Sequence, residues 1–146
     1  MRAVRKTILV VLLSLIGGFV LMQLVPYRVS NPAVRQEPKW DSPRTRQLAM
    51  AACFDCHSNE VRVPWYGKIA PVSWLVTNHV DDGRAALNFS NWSGAHGEGA
   101  GDAVETVRNG SMPPSYYTWF GLHSNAKLTK AEQDELARGL TASLRP

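Results

Sequence analysis

Between Thr7 and Val25 the chain runs for roughly 19 residues without a charge, long enough to cross a hydrocarbon layer as a helix, and Pro26 ends the run. Arg2, Arg5 and Lys6 precede it. That order predicts a transmembrane anchor whose basic end stays in the cytoplasm and whose following residues lie on the far side. A cleaved signal peptide is the competing reading, but the apolar run is long for one and no small-x-small cleavage site follows Ser14 convincingly. Pro26, Pro32 and Pro38 then stand among polar residues, which disfavours helix and strand alike and predicts an extended spacer. The pattern divides the chain into a basic flank and anchor over 1–26, a Pro-rich linker over 27–42 and a helical domain over 43–146.

Within that domain the apolar positions recur at helical spacing. Ser42-Pro43 reads as an N-cap followed by Pro at the first helical position, and Leu48, Ala51 and Ala52 give the helix an apolar side leading into Cys53. After an aromatic turn at Pro64-Trp65-Tyr66-Gly67, Pro71 marks a second start. Val72, Leu75, Val76, His79, Val80, Gly83 and Leu87 follow one face of that helix, which Asn88-Phe89-Ser90-Asn91-Trp92 closes. The two Asn-x-Ser matches in this closing turn are read as chance. Asp102 to Asn109 forms a short helix with Ala103, Val104 and Val107 on its inner side and Asn109-Gly110 as its stop. Thr129 with Glu132 predicts a capping box, and Leu136, Leu140 and Leu144 run down a C-terminal helix that should cross the one before Cys53. The fold class is all-α.

Candidate chemistry is concentrated in Cys53-Phe54-Asp55-Cys56-His57. Two thiols three positions apart can add to the two vinyl groups of one porphyrin, and the His that follows is aimed at the iron, so the spacing predicts one covalent haem c. A thioredoxin-like pair would want a βαβ setting, and no strand-rich pattern precedes Cys53. A structural zinc site would need two more close ligands, whereas the chain has only these two cysteines and scatters His79, His96 and His123. Haem attachment of this kind takes place outside the bacterial cytoplasmic membrane, in agreement with an exported domain.

The iron's sixth position has three candidates. Met112 follows a helix and a glycine and is pinned by Pro113 and Pro114, so its thioether has little conformational freedom to lose when it meets a metal. It leads. His79 is read as a core histidine rather than a ligand, and an open or water-ligated site is the remaining case. Tyr116, Tyr117, Trp119 and Phe120 are expected to pack the domain. The glycines between Ser93 and Gly101 lack a preceding strand and a following Gly-Lys-Ser/Thr, so they predict a flexible surface connection with a solvated His96, not a phosphate loop.

Composition changes this picture little. The chain has 146 residues and a formal charge of +4, of which Arg2, Arg5 and Lys6 supply three. No basic stripe with interleaved aromatics survives their removal, which argues against a nucleic-acid partner. A domain of about 100 residues has a modest core of its own, which a buried porphyrin would enlarge.

Cys53-Phe54-Asp55-Cys56-His57-Ser58-Asn59-Glu60, Pro64-Trp65-Tyr66, Ala70-Pro71-Val72-Ser73-Trp74-Leu75, Gly83-Arg84, Leu87-Asn88-Phe89-Ser90 and Met112-Pro113-Pro114 together resemble the bacterial haem-binding domain family, small proteins similar to monohaem cytochromes c. The likeness covers most of the region from about Pro43 to Leu144. It implies a cytochrome c-like helical fold, Cys53 and Cys56 as attachment points, and His57 as proximal ligand, with the family's Met-Pro-Pro falling on Met112. The function expected is single-electron transfer by a protein of the inner membrane whose haem domain faces the periplasm, between periplasmic or membrane redox proteins; the chain itself is expected not to be an enzyme. A peroxide-using enzyme or gas sensor with a labile sixth ligand, or a structural haem subunit of a respiratory complex, are the alternatives. The oligomeric state is not legible.

Overall fold

In the computed structural model, which describes residues 1–92 and 97–144, the apolar N-terminal run forms helix α1, Arg2–Gln23, with no buried residue. It is long and apolar enough to cross a membrane. The chain clusters into two units, Met1–Val29 with Val63–Asn78, and Ser30–Arg62 with His79–Pro146.

In the first unit the side-chain amide of Gln23, the last residue of α1, is held by the backbone of Ala70. Its Nε2 donates to the Ala70 carbonyl at 3.1 Å, and its Oε1 accepts from the Ala70 N–H at 2.9 Å. A 3-10 turn, Trp65–Lys68, starts after Pro64. Helix α4, Val72–Ala86, begins in this unit and continues into the second. Of the predicted stripe only the later positions are buried, Val80 and, just past the helix, Leu87. Ser73, Thr77 and Val80 are buried, whereas Val72, Leu75 and His79 are exposed. The small hydroxyl residues can turn inward because the helix satisfies them itself, Thr77 Oγ1 donating to the Ser73 carbonyl at 2.7 Å. Hydrophobic periodicity alone therefore placed the first two turns of the face about one residue out of register.

The second unit is built from helices α2, Pro43–Ala52, and α3, Phe54–His57, the end of α4, then α5, Gly97–Arg108, and α6, Lys130–Ser143. Among the described residues there is no strand, only a bridge between Gln36 and Asn91. Ser42 caps α2 by accepting from the Thr45 N–H at 3.1 Å. Helix α6 packs on both α2 and α5. It lies so close to α2 that a Cβ on Gly139 would overlap the Thr45 side chain. Leu136, Ala137, Leu140 and Leu144 meet Leu48, Ala49, Phe54, Leu87, Phe89 and Val107 in one core. Phe54 and Phe89 stack with ring centroids 5.6 Å apart; burying two such rings contributes roughly 2–3 kcal/mol each.

Two expectations change here. Helix α5 starts at Gly97, inside the stretch read as a loop, while residues 93–96, including His96, lie outside the described residues. Ala103, Val104 and Val107 do face inward. The Pro-rich spacer is extended, but from Asn31 onward it does more than tether. Arg35 N–H donates to the Ser90 carbonyl at 2.9 Å, Trp92 N–H to that of Gln36 at 2.9 Å, and Asp41 N–H to Ser143 Oγ at 2.9 Å.

The predicted capping box is present at α6. Thr129 Oγ1 accepts from Glu132 N–H at 3.3 Å and Glu132 Oε2 from Thr129 N–H at 3.0 Å. Thr129→Ala is expected to cost about 1 kcal/mol in urea denaturation; an unchanged midpoint would mean that packing on α2 and α5 alone sets this helix end.

Candidate functional site

The Cys-x-x-Cys-His run sits where α2 stops. Cys53 breaks the helical dihedrals (φ −123, ψ −37), and the chain makes one further turn as α3. On such a turn positions 53, 56 and 57 share a face, since they are related as i, i+3 and i+4. Phe54 points the other way and is buried in the core. That plug turns both thiols and the imidazole toward a cavity of about 360 Å³.

The orientation of His57 is held from behind. Its Nδ1 lies 3.0 Å from the carbonyl of Leu87. A carbonyl only accepts, so Nδ1 carries the proton and Nε2 keeps a free lone pair. The main chain is clamped as well: Phe89 N–H donates to the His57 carbonyl at 2.8 Å, and Arg84 Nε to that of Ser58 at 2.8 Å. Helix α4 comes close enough at Gly83 that a Cβ there would lie 2.5 Å from the Cys56 carbonyl oxygen. Only a glycine admits this approach.

Burial sets the protonation states. It pushes the Cys53 thiol up to about 12, with neighbouring Cys56 adding to the rise, and it raises Cys56, helped by Asp55. It lowers His57, against the opposing backbone hydrogen bonds of Leu87 and Gly83. Near neutral pH the cavity thus presents two intact S–H groups and an uncharged imidazole.

Across the cavity stand Ala103, Thr106 and Val107 of α5, Leu140 of α6, and the segment Met112, Pro113, Pro114 and Tyr117. The turn that follows α5 contains Gly110, whose φ of +75 suits a residue without a Cβ. Met112 N–H then turns back to donate to the Thr106 carbonyl at 3.1 Å. Tyr117 OH reaches Asp55 Oδ2 at 2.8 Å, tying the Met112 segment to the cysteine motif. Asp55 Oδ1 also accepts from Arg62 N–H at 3.1 Å.

Cys53, Cys56, His57 and Met112, separated by up to 59 positions in sequence, therefore line one cavity. His79 does not line it. It is exposed, with its ring 5.9 Å from that of Tyr116, so the expectation of a core histidine also fails. Nor do the distal aromatics pack as a group: Trp119 and Phe120 are exposed, and only Tyr117 turns to the cavity, its ring 4.0 Å from that of His123. Asp55, Gly83, Leu87 and Tyr117 are site residues that sequence reasoning did not single out for these roles. Their contacts are non-local, and no spacing rule announces a carbonyl that will orient an imidazole.

Among the described residues no group of three or more His, Cys, Asp and Glu side chains is placed to hold a metal ion. The donor set instead fits a metal that brings its own macrocycle. The walls are mainly apolar, the volume falls in the range of cofactor pockets, roughly 300–1,000 Å³, and one imidazole and one thioether stand among the lining side chains. Comparison with curated proteins and with solved structures yields no match. The family comparison agrees with the chemistry of the cavity: the model of the haem-binding domain matches residues 17–142, and the chain belongs to that family.

Proposed function

We propose that this protein is a membrane-anchored c-type cytochrome with one covalent haem, passing single electrons between redox proteins on the periplasmic side of a bacterial inner membrane. The observation that carries the reading is that Cys53, Cys56, His57 and Met112 line the same apolar cavity. When bound, haem supplies one-electron chemistry at iron. The chain's own residues then have separate tasks. Cys53 and Cys56 would hold the group, each through an S–H added across one vinyl group with the sulfur on one carbon and the hydrogen on the other, so that no oxidant would be consumed. His57 offers Nε2 while Leu87 holds its other nitrogen, a second contact that raises ligand basicity. Met112 offers a soft thioether, which favours ferrous iron and a higher potential. With His57 and Met112 both holding the metal, no donor position would be left for a substrate, which supports a carrier over a catalyst. The apolar run of α1 and the basic Arg2, Arg5 and Lys6 in its first turns support the anchor and its orientation.

Met112→Ala tests the assignment. The ferric wild type is expected to be low-spin with the weak near-infrared band of sulfur ligation; the variant should lose that band, fall in potential and bind carbon monoxide rapidly when reduced. His79→Ala should leave the axial spectrum intact. Rapid carbon monoxide binding by the unaltered protein would instead mean that Met112 dissociates and that the haem binds gas or peroxide.

A further inference from the structure

From the 3-10 turn onward the first unit leaves large apolar side chains in the open. Trp65 is 75 % exposed, Leu75 62 %, Val72 39 % and Ile69 38 %. Val72 and Leu75 are one helical turn apart on α4, and Ile69 immediately precedes Ala70, the residue that grips the Gln23 side chain through both its N–H and its carbonyl. The segment that carries these side chains is therefore fastened at Ala70 to the end of α1.

The depth of that end follows from length. Helix α1 has 22 residues. At 1.5 Å per residue it is about 33 Å long, against a hydrocarbon layer of about 30 Å. With Arg2, Arg5 and Lys6 in one headgroup layer, Thr7 to Gln23 spans about 26 Å, which brings Gln23 to within one helical turn of the other boundary. Ile69 and Val72 lie within two residues of Ala70, so they cannot be more than about 8 Å from it. This is the headgroup layer, where an indole ring is favoured and where exposed apolar side chains escape water.

We propose that residues 65–75 lie in the interfacial layer of the bilayer that α1 crosses, with Trp65, Ile69, Val72 and Leu75 as the lipid contact. The inference rests on the membrane-anchor reading and assigns the anchor a second, peripheral part. It also accounts for α4, whose apolar residues at Val72 and Leu75 face outward while Ser73 and Thr77 face inward.

The test uses the full-length holoprotein in vesicles of phosphatidylethanolamine and phosphatidylglycerol. A nitroxide is attached at Leu75→Cys, at Ile69→Cys as a second reporter should the first disturb folding, at Leu12→Cys within α1, and at exposed Arg138→Cys in α6. Wild type labelled in parallel is subtracted as the blank for any signal at Cys53 or Cys56. Collisional relaxation by oxygen, which partitions into lipid, is compared with that by a water-soluble chromium complex. The oxygen-to-chromium ratio should be highest at Leu12, lower but several-fold above Arg138 at Leu75 and Ile69, and lowest at Arg138. A lipid-buried Leu12 with Leu75 and Ile69 matching Arg138 overturns the inference alone. An immobilised label at Leu75 shielded from both reagents overturns it in favour of a protein partner or a second copy. Water access at Leu12 overturns the anchor itself, and this inference with it.

Discussion

Replacing both Cys53 and Cys56 by alanine is expected to convert a haem that survives acid-acetone extraction and denaturing electrophoresis into one that is extracted or never retained. The effect is all-or-none because the two thioethers are the only covalent links proposed, and the cavity by itself offers contact, not a bond. Both sulfurs line the same 360 Å³ space as His57. Burial keeps both as thiols near neutral pH, the form that carries the hydrogen added to each vinyl group. Single substitutions should leave one link and an extraction-resistant haem whose reduced spectrum is shifted, since one vinyl group stays conjugated with the ring. Release of haem from the unaltered protein under denaturation would remove the covalent reading, though not the family membership or the helical fold.

Gly83→Ala is expected to lower stability and haem retention together. In an exposed helix interior the exchange of glycine for alanine ordinarily stabilises by about 1 kcal/mol. Gly101 in α5 is such a place, with nothing within 4 Å of the position a Cβ would take. At Gly83 that atom would stand 2.5 Å from the carbonyl oxygen of Cys56 and 3.2 Å from its Cβ. The obstruction is backbone rather than a flexible side-chain end, so α4 or the motif turn must move, at a cost of about 1–3 kcal/mol that outweighs the helical gain. Moving that turn also shifts Cys56 and the clamp on His57. Denaturant midpoints should therefore change in opposite directions, up for Gly101→Ala and down for Gly83→Ala, with a weakened axial spectrum only in the second. Two upward shifts would mean that α4 does not press on the motif as closely as described.

Local rules carried much of this protein. The uncharged run that becomes α1, the Ser42 and Thr129 caps, the Gly110 stop and the leucine repeat of α6 were legible because each depends on residues within a turn or two of one another. The cysteine motif was legible for the same reason: i, i+3 and i+4 put Cys53, Cys56 and His57 on one face wherever the helix goes. What lies opposite them was a matter of tertiary structure. That Met112 reaches their cavity and His79 does not depends on how α5 and α4 end and pack, a choice made by contacts such as Tyr117 to Asp55 and Leu87 to His57. The inward face of the first two turns of α4 was misjudged for a related reason. Ser73 and Thr77 satisfy their hydroxyls within the helix and cost little to bury, so close approach selected small residues where hydrophobicity alone selected Val72 and Leu75.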